Sequence, residues 1–277
     1  MANIINISIK EFSDIISNPI SLFIIAIYLF FTLITVFQFL TEISEQSLNP
    51  DMIVTNLLSG AGFILTYYGA FVVIILGTIS MYSEKKGNAL NVIISKPLYK
   101  DSILLGKFIG IFAFFICLSG LIMLIYTSML LIFSGPIFDP IIQDYIYRLP
   151  ILLIVSILYI LVFLSLSLLV SLLIQNQAYA LISTTIIMII SDIIPTINVA
   201  WFLSNIILGG NNDKLMSTIS EISPKGLLNS IFAQILNVAQ PITVSVSSAF
   251  VDSFKLVIYI VIFMTLSFII FMRRDIA

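Results

Sequence analysis

Apolar residues run through most of this chain with little polar interruption, and the few charged positions cut it into long uncharged stretches. Between Asp14 and Glu42 lie 27 uncharged residues, between Asp51 and Glu84 lie 32, and between Lys107 and Asp139 lie 31. A helix crossing ~30 Å of hydrocarbon takes about 20 mostly apolar residues, and charge in mid-span is costly, so each stretch holds one span. The 43 residues between Arg148 and Asp192 are too many for one crossing. Gln175-Asn176-Gln177 divides them into a tight hairpin of two helices. The 17 residues between Lys255 and Arg273 suffice for a sixth span, because both flanking cations can snorkel to the interfaces. The expected cores are Pro19–Leu40, Leu57–Tyr82, Phe108–Phe133, Pro150–Ile174, Ala178–Ile194 and Leu256–Met272. The fifth is expected to break near Pro195, which removes a backbone donor and disfavours helical geometry in the residue before it.

Composition supports the same class. The chain is 60% hydrophobic and 9% charged, against roughly 25% charged residues in soluble domains. With a mean hydropathy of +1.17 it reads as an all-α integral membrane protein of one domain, residues 1–277. It has no histidine and one cysteine, which excludes His-ligated haem and zinc, a Ser-His-Asp triad and an internal disulfide. No G-x-x-x-x-G-K-[ST] loop is present, and Gly209-Gly210-Asn211-Asn212-Asp213-Lys214 has the wrong spacing for one. Asp139 and Asp144 read as ordinary solvated residues. No catalytic, cofactor-binding or metal-ligating set emerges.

Charge also sets an expected orientation. With six spans, Lys10, Lys85, Lys86, Lys96, Lys100, Lys107, Arg273 and Arg274 fall on one side, and Arg148, Lys214, Lys225 and Lys255 on the other. The positive-inside rule then places both termini in the cytoplasm of a multi-pass cell-membrane protein. The first apolar run is too long for a cleaved signal peptide and lacks a small-residue cleavage site.

Three segments outside the spans carry pattern. In residues 3–18, Ile5, Ile9, Phe12 and Ile16 share one helical face, opposed by Asn6, Lys10, Ser13, Asp14 and Ser17, as suits an elbow helix lying in the interface plane. In the 84–107 loop, Leu90, Ile93 and Ile94 recur at helical spacing, Asn88 can cap that short helix and Pro97 ends it. Its apolar face has too few neighbours of its own, so either lipid headgroups or a second protein must cover it. Lys107 is expected to snorkel from the first turns of the third span. In the external segment 209–254, Leu227, Leu228, Ile231, Ile235 and Leu236 share one broad face between Pro224 and Pro241, which predicts a short external or re-entrant helix.

The 84–107 loop also resembles a known family. Glu84, Gly87, Leu90, Ser95, Lys96 and Pro97, followed by Ile103-Leu104-Leu105-Gly106-Lys107, are similar to the conserved loop of type-2 ABC exporter permeases. Asn88 stands where Thr is usual and Lys100 where Arg is usual. The Asn18-Pro19 elbow, the six spans and the terminal Phe271-Met272-Arg273-Arg274-Asp275 extend the likeness in outline over the chain. The resemblance implies that Glu84, Gly87, Asn88, Leu90, Ile93, Ile94, Ser95 and Pro97 form a coupling helix docking on a separate cytoplasmic ATP-binding subunit, which would carry the ATP and Mg. It further implies a homodimer or paired permease, export, and a part in the exit gate for the short external helix.

Single residues add weaker expectations. Asp192 is the one acid that could sit at membrane depth, with Ser183, Thr184, Ser191 and Asn198 near it in sequence, either lining a translocation route or already meeting water. Gly60, Gly62, Gly69 and Gly77 suggest close helix contacts, or a dimer seam. Tyr67, Tyr68, Tyr145, Tyr147 and Trp201 suit the outer interface, and Cys117 suits packing within the third span. The rival readings are a non-transporting membrane scaffold or assembly factor, and an intramembrane lipid- or peptide-processing enzyme, which the lack of catalysts disfavours. No nucleic-acid partner is indicated, and the sequence does not identify a cargo.

Overall fold

The computed structural model describes residues 2–45, 50–86, 100–133, 141–196, 218, 221–238 and 240–273. Among them all regular structure is helical: α1 (Ala2–Ser17), α2 (Pro19–Glu45), α3 (Pro50–Phe63), a π-helical turn (Ile64–Tyr68), α4 (Gly69–Lys86), α5 (Lys100–Phe133), α6 (Ile142–Leu173), α7 (Gln177–Ile193), α8 (Pro224–Ile235) and α9 (Ile242–Arg273). Among the described residues, five stretches are long and apolar enough to cross a membrane: Pro19–Thr41, Pro50–Ser83, Ser102–Phe133, Ile142–Leu173 and Ile242–Arg273. The apolar α7, with 17 residues, rises about 26 Å and stands where the fifth crossing was expected. The fold is that of an all-α membrane protein.

α6 is the central post. It packs against α3, α4, α7, α8 and α9, and most of its side chains are buried, among them Tyr159, Phe163, Leu164 and Leu168. α2 and α9 lie outermost and turn Phe23, Phe30, Phe250, Phe254 and Val261 outward. Lipid tails are as apolar as these side chains, so such faces need no protein cover.

Local chemistry explains the element ends. The hairpin between α6 and α7 closes where Asn176 Oδ1 accepts from the Ala178 N–H at 2.9 Å, an N-cap. α7 stops at Ile193, whose carbonyl accepts from the N–H and the hydroxyl of Thr196 at 3.0 and 2.6 Å, as the break expected near Pro195 requires. Four starts lie well upstream of the expected cores: α3 begins at Pro50 and α5 at Lys100, and α6 and α9 also start early. α6 begins at Ile142, so Pro150 lies inside it and does not open it. α9 begins at Ile242 and runs straight through Asp252 and Lys255. Those charges do not interrupt the helix because they satisfy each other, Lys255 Nζ donating to Asp252 Oδ1 at 2.7 Å while Ser230 donates to Asp252 Oδ2 at 2.7 Å.

The glycines of the second crossing are spent within the chain. A Cβ on Gly62 would strike the Phe232 ring, one on Gly69 would lie 2.8 Å from Ile160, and one on Gly77 would collide with the Ser167 hydroxyl. These three buried glycines make close helix contacts, as expected, but with α8 and α6 of the same chain, which removes them as a dimer seam, while the half-buried Gly60 approaches the Tyr126 hydroxyl of α5. Cys117 is exposed on α5, contrary to the packing role expected of it. Tyr145 is fully buried and bonds Thr127 at 3.0 Å, and Tyr67 and Tyr68 sit mid-helix in the π turn, so among the described residues of that set only the exposed Tyr147 keeps the character of an interface aromatic; Trp201 lies outside the described residues.

Candidate functional site at the roots of residues 87–99

α4 and α5 lead into and out of residues 87–99. Gly87, Asn88, Leu90, Ile93, Ile94, Ser95 and Pro97 lie outside the described residues. Glu84 falls in the last turn of α4, though its side chain is not described.

α1 lies across α5 and carries three faces, not two. Ile5, Ile9 and Ile16 are exposed on an apolar face, and Asn6, Lys10, Ser13 and Ser17 on a polar one. A third row, Ser8, Glu11 and Ile15, is buried against the bundle. Contact is intimate because α5 offers two glycines there. A Cβ on Gly106 would lie 2.6 Å from Ile7 Cγ2, and one on Gly110 would lie 2.7 Å from the Ser8 carbonyl oxygen. Because the Ser8 neighbour is backbone, no rotamer change could make room at Gly110.

Between these glycines stands Lys107. It does not snorkel: its side chain is 0% exposed and forms an ion pair with Glu11 Oε1 of α1. Its ammonium also donates to the carbonyl and hydroxyl oxygens of Ser80 on α4, at 3.0 and 3.1 Å. The Ser80 hydroxyl in turn donates to Glu11 Oε2 at 2.7 Å. Both carboxylate oxygens are thereby used, and the ammonium's three donors are matched by three acceptors. A buried charge survives only when paired and hydrogen-bonded in this way. Beside the cluster, Glu11, Asp14, Ser17, Asn18, Ser80 and Ser83 help line a cleft of about 290 Å³ between α1, α2 and α4.

Two further constellations occupy the opposite end of the bundle. α8 is the short helix expected from the pattern at 226–239. Ser223 caps it, accepting from the Gly226 N–H at 2.9 Å, with Pro224 opening it, and Leu227, Leu228, Ile231 and Ile235 are its buried face. Its C-terminal end is held by Arg148 of α6, whose buried guanidinium donates to the carbonyls of Ile235, of Val238 at 3.5 Å and of Gln240 at 2.7 Å. Cations suit helix C-termini, where carbonyls are left unbonded. Asp192, in the last turn of α7, is half-buried and accepts from the Tyr159 hydroxyl at 3.1 Å. Lys225, on α8, lies 6.0 Å over the Tyr159 ring; burial lowers its pKa and the Asp192 carboxylate pulls it back up. The hydroxyls of Ser156, one turn from Tyr159, and of Ser191 are buried there without a hydrogen-bond partner. Of the other neighbours expected, Thr184 is buried and Asn198 lies outside the described residues.

The family model described as ABC-2 family transporter protein matches residues 5–276. The chain belongs to that family. A comparison with curated proteins gave no match. As an ABC-2 permease the chain is a multi-pass transport component of a membrane, and the family pairs with an ATP-binding subunit. Sequence reasoning missed two residues of this permease's best-formed polar cluster, Glu11 and Ser80. The signal available for them was Gly106 and Gly110, four residues apart and flanking a cation, which marks a close-packed helix face with a charge inside it.

Proposed function

We propose that this permease pairs with a second permease chain, identical or related, and exports an amphipathic cargo across the cytoplasmic membrane. ATP and Mg are held by a separate ATP-binding subunit, one docked on each permease through Glu84, Gly87, Asn88, Leu90, Ile93, Ile94, Ser95 and Pro97. Both termini and the 84–107 loop face the cytoplasm, the side on which the sequence concentrates Lys and Arg. Closure of the two ATP-binding subunits draws on the loop, the helices tilt, and the pathway between the permeases opens outward.

The observation that carries this reading is the anchoring of the loop's roots. Ser80 of α4 and Lys107 of α5 are bonded to each other and to α1, so a pull on residues 87–99 is delivered to a stiff corner of the bundle. At the opposite end, the half-buried Asp192, braced by the buried Tyr159 hydroxyl, lines part of the route, a polar spot in an otherwise apolar wall. α8, held by Arg148, stands beside it as a movable part of the exit. The apolar walls suit a lipid-like or peptide cargo better than a bare ion.

Co-purification tests the docking. The permease in mild detergent retains an ATP-binding subunit, and Leu90→Asp or Ile93→Asp releases it while the permease still inserts. Full retention by both variants contradicts the assignment.

A further inference from the structure

The Glu11–Lys107–Ser80 cluster lies outside the segment assigned to docking, yet it joins three helices that share no sequence neighbourhood. Glu11 belongs to α1, Ser80 to the last turns of α4, and Lys107 to the first turns of α5. Anchoring α1 to the bundle could have been left to the apolar row around Ile7 and Ile15. In a membrane, however, apolar contact between helices holds them weakly, since lipid tails replace any contact that is lost. Greasy helices slide. An ion pair buried to 0% exposure on the lysine side does not slide, because separating it leaves two uncompensated charges away from water.

We propose that Glu11, Ser80 and Lys107 are positioning residues that make α1 a third leg of the docking loop. When the ATP-binding subunit moves residues 87–99, α1 is carried with the ends of α4 and α5 as one body. The interface helix is then a lever through which the nucleotide state is felt at the lipid surface and, across the Asn18-Pro19 joint, at the start of α2. Three details of geometry fit this role. The Ser80 carbonyl and hydroxyl bond Lys107 directly, so the two roots of the loop are tied to each other. Gly106 and Gly110 bring the α1 backbone close enough for Glu11 to reach between them. Asn18 Oδ1 accepts from the Ile20 N–H at 3.0 Å, which caps α2 immediately after α1 and leaves little slack between the two helices. This inference rests on the reading of 84–97 as the docking segment.

The test is hydrogen exchange followed by mass spectrometry on the permease together with the ATP-binding subunit that co-purifies with it, in nanodiscs, with and without a non-hydrolysable ATP analogue. Glu11→Met/Lys107→Met replaces the pair with flexible apolar side chains of similar length, so the helices stay packed with no charge stranded. In the unaltered complex, exchange in residues 2–17 and at the ends of α4 and α5 responds to the analogue together. In the double variant, the partner stays bound and the ends of α4 and α5 still respond, but the response of residues 2–17 is lost. Ser80→Ala, which keeps the ion pair and the Ser80 carbonyl but removes the hydroxyl's bonds to Glu11 and Lys107, weakens that response without abolishing it. The proposal is overturned if residues 2–17 of the unaltered complex ignore the nucleotide, or if the double variant responds as the unaltered chain does. Failure of the docking reading looks different: residues 87–99 of the unaltered permease would then gain no protection from the partner.

Discussion

Tyr28 of α2 donates its hydroxyl hydrogen to the carbonyl of Ile64 at 3.0 Å, where the second crossing widens from α-helical to π-helical register. A π turn disturbs the usual i to i+4 ladder, and Tyr28, fully packed at 2% exposure, meets the disturbed carbonyl from a neighbouring helix. The turn also sets Tyr67 and Tyr68 side by side with Phe31, Phe63 and Phe71, so one irregularity builds an aromatic belt in mid-span. Tyr28→Phe removes only the hydroxyl. It should cost about 1 kcal/mol of stability, the worth of one hydrogen bond in a membrane interior, read as a lowered unfolding midpoint in detergent. An unchanged midpoint would mean that the Ile64 carbonyl finds another donor.

Arg148 holds the far end of α8 by three main-chain carbonyls. Arg148→Met strands those carbonyls and should destabilise by about 3 kcal/mol, with faster hydrogen exchange confined to residues 236–241. Arg148→Lys keeps the charge but not the planar fork of donors, and should fall between the two. Equal exchange in all three proteins would show that α8 is held by its apolar face alone.

Asp192 is tested by accessibility. With Cys117→Ser as background, which removes the exposed native thiol, Asp192→Cys should react with a charged, membrane-impermeant thiosulfonate added from outside. Reaction of an anionic thiosulfonate should slow when Lys225→Met removes the ammonium that leans over Tyr159, since that charge favours the reactive thiolate and draws the reagent. A thiol that never reacts would place this position in lipid or in solid packing, away from any water-filled route.

Much of the architecture was readable from the sequence because charge spacing in a membrane protein is nearly a ruler. The crossings fell where uncharged runs were long enough, and α8 fell between Pro224 and Pro241 with a serine ahead of it. The ruler misled where charges are satisfied inside helices. Asp252 and Lys255 pair three residues apart, so α9 starts at Ile242 and not at Leu256. Lys107 looked like a snorkelling flank because its partner, Glu11, lies 96 residues away, a distance no local pattern crosses. The faces of α1 were half legible. Its apolar and polar rows stand as the periodicity predicts except at Phe12, which is half-buried edge-on against Phe114 of α5, while the buried row was hidden because it mixes Ser8, Glu11 and Ile15. The glycines of the second crossing signalled close contact, but spacing alone cannot say whether the contacting helix belongs to the same chain or to another.

The central claim is that a protein supplied in trans covers the apolar row of Leu90, Ile93 and Ile94, which the sequence pattern puts on one face of an expected helix. A photo-crosslinking residue placed at Ile93 in living cells measures this directly, since it attaches to whatever lies against that side chain. The account predicts a product in which the permease is joined to an ATP-binding protein, abolished by Leu90→Asp on the same chain. A crosslink to phospholipid alone, in cells where the permease is at work, would contradict it.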